Sequence, residues 1–135
     1  PTYNARMEKE LRRFAVWSNV FYAVPLLGAL YFNLSVVPLL MSALIISSTA
    51  FHLSRERRFV WPDIVVAYIV LVQNIVLMYL SGYEPMLFSV IGATLAVALY
   101  IRYFREHGDR GGLYHGWWHV LAATITFFCI LGYAQ

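Results

Sequence analysis

The sequence predicts an all-α integral membrane bundle of about five transmembrane helices, and three observations predict it. Of the 135 residues, 61% are hydrophobic and only 13% are charged, whereas a soluble domain carries about 25% charged residues. The few charges cut the chain into apolar blocks, each close to the ~20 residues that a helix needs to cross a bilayer. All ten Lys and Arg residues lie in or beside alternate connections, the segregation expected of a multi-pass chain. A mean hydropathy of +0.64 excludes a water-exposed surface over most of the molecule, so lipid is its solvent.

The elements follow in order. Residues 1–13 mix Arg6, Lys9, Arg12 and Arg13 with Glu8 and Glu10, and read as a short interfacial helix. Span one is 14–32. It follows a charged stretch and is long enough to cross, so it is expected to be a span and not a removable leader. Span two is 35–53, beginning beside Pro38. A charged turn with Arg55, Arg57 and Arg58 precedes span three, 63–80. Gly82 and Pro85 mark a tight turn before span four, 85–103. A basic, glycine-rich loop over 105–112 leads into span five, 113–133. These spans use nearly the whole length, so 1–135 is read as one transmembrane domain.

Loop charge sets the expected orientation. The N-terminal segment and the second and fourth connections share one side and hold the basic residues; the other side has Glu84 and no Lys or Arg. The N-terminus is therefore expected in the cytoplasm and the C-terminus outside. Trp17, Tyr31, Trp61, Tyr83, Tyr103, Trp117 and Tyr133 fall near span ends, where interfacial aromatics belong. The pI of about 9.2 reflects topology and contact with anionic headgroups. No nucleic-acid partner is expected, for there is neither a soluble basic face nor a reading motif. The lone Cys129 lies in an apolar run and reads as packing.

Polar and ionisable side chains within a membrane are costly and usually face an interior. His107 lies in a polar loop. His52, at the end of span two, and His115 and His119, at the start of span five, are expected at one depth on the cytoplasmic side. A spacing of four puts His115 and His119 on one helix face, a spacing that zinc sites use. Ser48 lies one turn deeper than His52 on the same face; alone it reads as a back-bonding serine, and Ser47 as packing. Asp63 follows Pro62, where a carboxylate suits a helix start; beside three histidines it also suits a base for metal-assisted chemistry. Gln73, Asn74 and Asn19 read either as amides bonding a neighbouring helix or as the lining of a cavity.

Taken together, the motif Ser48-Thr-Ala-Phe-His52, the Asp63 that follows and the motif His115-Gly-Trp-Trp-His119 resemble the signature of a superfamily. It comprises the alkaline ceramidases, the progestin and adipoQ receptors, the haemolysin III relatives and myomaker (the CREST superfamily). The tryptophan before His119 looks most like the ceramidase and myomaker branches. The family normally has seven spans, and this chain departs from it with five, so the walls of its substrate cavity would be thinner, or completed by lipid or a second copy.

The resemblance implies a zinc-dependent intramembrane hydrolase of a membrane lipid, ceramidase-like and cleaving an amide. His52, His115 and His119 would hold Zn²⁺, a zinc-bound water would be the nucleophile, Asp63 the proton acceptor and Ser48 an oxyanion donor. The segment between the span-five histidines has no glutamate, so the HExxH base is missing and Asp63 takes its place. The alternative is a non-enzymatic receptor or fusogen-like protein in which zinc clamps helices together; a structural zinc normally has four protein ligands. Haem ligation would leave Ser48 and Asp63 unexplained, and a transporter would need a continuous polar path.

Overall fold

The computed structural model of the chain describes residues 13–54, 56–82, 84–105 and 110–135. The interfacial helix expected over 1–13, apart from its last residue, lies outside these, as do Arg55, Tyr83 and the loop residues 106–109 with His107. The described residues are almost wholly helical and contain no strand. Five helices are long and apolar enough to cross a membrane, making this a multi-pass membrane protein.

Helix α1 (Arg13–Tyr31) contains a 3₁₀ segment, Ser18–Tyr22. Pro25, a few residues on, has no N–H to give the Phe21 carbonyl, and its ring crowds the preceding turn. The helix ends at Asn33, which adopts φ 58°. The Leu34 amide bonds the Ala29 carbonyl and the Asn33 amide that of Leu30, closing the helix with a left-handed cap. Helix α2 runs Val36–Ser54.

The third helix corrects an expected boundary. A 3₁₀ turn, Arg57–Phe59, leads directly into α3 (Val60–Leu80), so the helix begins ahead of Pro62 and not after it. Proline is tolerated there because the first turn's amides lack intrahelical partners in any case. Asp63 consequently sits within the first turn and is not the cap residue.

Helix α4 (Pro85–Tyr100) starts as its sequence demands. Pro85 occupies the first position, and the Glu84 carboxylate accepts from the amides of Met86 and Leu87. It ends in a π-helical turn, Ile101–Arg105, which the sequence does not foreshadow. Helix α5 spans Gly111–Ala134.

The packing makes α5 the hub. It lies against α1, α3 and α4, while α2 packs on α1 and α3. Close approach of α1 and α5 depends on glycine at two points: Phe14 lies on Gly116, and Phe127 on Gly28. The buried core runs through Tyr22, Ala29, Met41, Leu44, Ala123 and Ile130. Outward faces are the reverse of a soluble protein's, with Leu27, Leu39, Ile46, Val72 and Met86 all exposed. So much contiguous apolar surface marks contact with lipid or another protein.

Candidate metal centre

Antiparallel connections carry the end of α2 and the start of α5 to the same end of the bundle. His52, from α2, meets His115 and His119, from α5. One ligand atom from each lies within 4.8 Å of the others, a group able to hold a metal ion. His52 Nε2 and His115 Nε2 are 3.0 Å apart. The rings are edge-on to one another, with centroids 4.7 Å (His52–His115), 5.3 Å (His52–His119) and 4.6 Å (His115–His119) apart. His119 is 5% exposed, and the other two are half-buried. Among the described residues, no acid or cysteine joins this group.

Ser48 and Asp63 flank the cluster. Ser48 is 2% exposed, and its hydroxyl closes no well-formed hydrogen bond. It does not back-bond to its own helix; Ser47 does, to the Leu44 carbonyl at 3.3 Å. The half-buried Asp63 carboxyl lies beside both serines across the α2–α3 contact, within electrostatic reach of His115. Ser47 is thus more than the packing residue expected of it. All five expected site residues are brought to one end of the bundle.

Helix α1 contributes residues that the sequence reading did not assign. Ser18 is fully buried, and its Oγ lies 2.9 Å from His119 Nδ1 and 2.9 Å from the Ala15 carbonyl. Tyr22, also buried, tilts against the His119 ring at 5.8 Å and stands within electrostatic reach of Asp63. One signal was present: Ser18 and Asn19 are adjacent polar residues in an apolar span. Their partners lie in distant segments, so the signal could not be read as a contact.

The deeper amides bond neighbouring helices. Asn74 Nδ2 donates to Thr126 Oγ1 at 2.9 Å, and Asn19 Nδ2 to Thr49 Oγ1 at 3.3 Å. Thr126 spends its own proton on the Ala122 carbonyl, which fixes the orientation of the Asn74 amide. Gln73 is left with both amide atoms buried and unpartnered. Cys129 is buried and unbonded, as packing requires. No protein-family model, curated protein or solved structure matches this chain, so the site must be read from its own geometry.

Proposed function

We propose that this chain is a zinc-dependent intramembrane hydrolase of a lipid substrate, ceramidase-like and acting on an amide bond. The observation that carries the reading is the convergence of three imidazoles from two helices, with a carboxyl and a buried hydroxyl beside them. The donor set fits zinc. Imidazole nitrogens are donors that zinc takes, and here one from each of three histidines lies within 4.8 Å of the others, the His52 and His115 pair at 3.0 Å.

His52, His115 and His119 would hold the ion. When bound, zinc supplies Lewis-acid polarisation and makes a nucleophile available near neutral pH. Asp63 accepts a proton from the attacking water at its carboxylate oxygen. The hydroxide adds to the amide carbon, the C–N bond breaks, and Asp63 returns the proton to the leaving nitrogen. Ser48 Oγ–H, which lies beside the Asp63 carboxyl, donates to the carbonyl oxygen as it gains negative charge. The products are a carboxylic acid and an amine, both membrane-soluble if the substrate is an N-acyl lipid.

Among the described residues the group has three protein ligands, which favours an open catalytic position over a closed structural clamp. The positive-inside distribution supports a cytoplasmic N-terminus, an external C-terminus and a site near the cytoplasmic face. The test is release of fatty acid from an N-acyl sphingoid lipid in mixed micelles by zinc-loaded protein, compared with Asp63→Asn. Turnover by wild type and its loss in the variant are expected. Equal turnover by the variant would remove Asp63 as the base.

A further inference from the structure

Helix α1 contacts the histidine cluster through Ser18 and Tyr22. Ala15, Ser18, Asn19 and Tyr22, spaced as i, i+3, i+4 and i+7, share one buried face of α1. Ser18 there touches two groups at the same distance, the Ala15 carbonyl and His119 Nδ1, each 2.9 Å from Oγ. A serine hydroxyl has one proton, and a carbonyl oxygen accepts only. The proton therefore goes to Ala15, and the contact with His119 forms only if Nδ1 is the donor. His119 is then the Nδ1–H tautomer, whose free lone pair is on Nε2. The Ala15 carbonyl also lies near the His119 ring.

We propose that Ser18 is a positioning residue of the metal centre: its hydroxyl, oriented by the Ala15 carbonyl, holds His119 as the tautomer that presents Nε2 to zinc. This rests on the reading of the three histidines as a metal site. Metal-binding histidines almost always donate their other N–H to a fixed acceptor, and losing that acceptor typically weakens affinity about 10–100-fold. A serine on a third helix fills this role here, so α1, α2 and α5 all contribute to the centre.

The test is the zinc dissociation constant of detergent-purified full-length protein, measured by chelator competition for wild type and Ser18→Ala. Beside it, the His119 ring nitrogens of metal-free wild type are observed by ¹⁵N NMR. The expected results are at least about tenfold weaker zinc binding in Ser18→Ala and a proton on Nδ1 of wild-type His119. A merely structural serine would lower the unfolding temperature of the metal-free variant and leave the constant unchanged, which overturns the proposal. A proton on Nε2 of wild-type His119 overturns it even if Ser18→Ala fails to fold. Wild type that binds no zinc overturns the metal reading itself, whereas zinc bound equally by both proteins removes only Ser18.

Discussion

Asp63 and His119 show how differently single residues act in one site. His119 is almost fully enclosed, with Ser18 on one side and the Tyr22 ring on another, so its position is fixed before any metal arrives. Asp63 is half-buried, outside the ligand group and beside Ser47 and Ser48, the position the proposed base requires. Asp63→Asn is therefore expected to keep zinc while turnover falls about 10²–10⁴-fold, the usual contribution of a general base. Metal content and initial rate, measured on one preparation, check this together; metal lost along with rate would make Asp63 a ligand. At this scale the sequence was legible where chemistry is local. The spacing of His115 and His119 by one helical turn, and of Ser48 and His52 by another, could be read directly. Ser18 could not, because its partner is 101 residues away and a lone serine carries no record of what it faces.

Each helix owes its position to features that differ in how openly the sequence displays them. The start of α4 was plain in Glu84-Pro85, and the turn before it in Gly82, whose φ of 75° suits glycine best. The start of α3 lies ahead of the one Pro62 suggests in the sequence, because inside a first turn proline costs nothing in hydrogen bonds. The π turn after α4 had no local signature at all. Gly116, between the two α5 histidines, is an element-level determinant. A β-carbon there would run into the Phe14 ring of α1, pushing α5 from the helix that carries Ser18. Gly116→Ala is expected to destabilise the bundle by about 1–3 kcal/mol, the usual range for overpacking, and to weaken zinc binding with it. Unfolding in mild detergent with and without zinc measures both; full stability and unchanged affinity would show that Phe14 swings aside.

For the whole molecule, lipid is the organising solvent. Five helices expose apolar side chains outward and gather Ser18, Ser48, Asn74, His119 and Thr126 inward, an arrangement stable only where backbone groups are satisfied within helices and the surroundings are apolar. This inversion was legible from composition and charge spacing alone, because both follow from the bilayer and not from the details of packing. Helix α4, packed chiefly on α5, leaves much of its surface to lipid or a second copy of the chain. Charge segregation predicts that a tag at residue 1 is protected in sealed right-side-out vesicles while one after Gln135 is digested; both tags digested, or both protected, would contradict an odd number of crossings. The central claim is that this bundle holds a zinc ion on three histidines, and metal content tests it most directly. Mass spectrometry of protein purified in chelator-free detergent, beside the His115→Ala/His119→Ala double variant, is predicted to find about one zinc per chain in wild type and none in the variant, as loss of two of three ligands requires. Wild type without metal, or a variant retaining its full complement, would contradict the account.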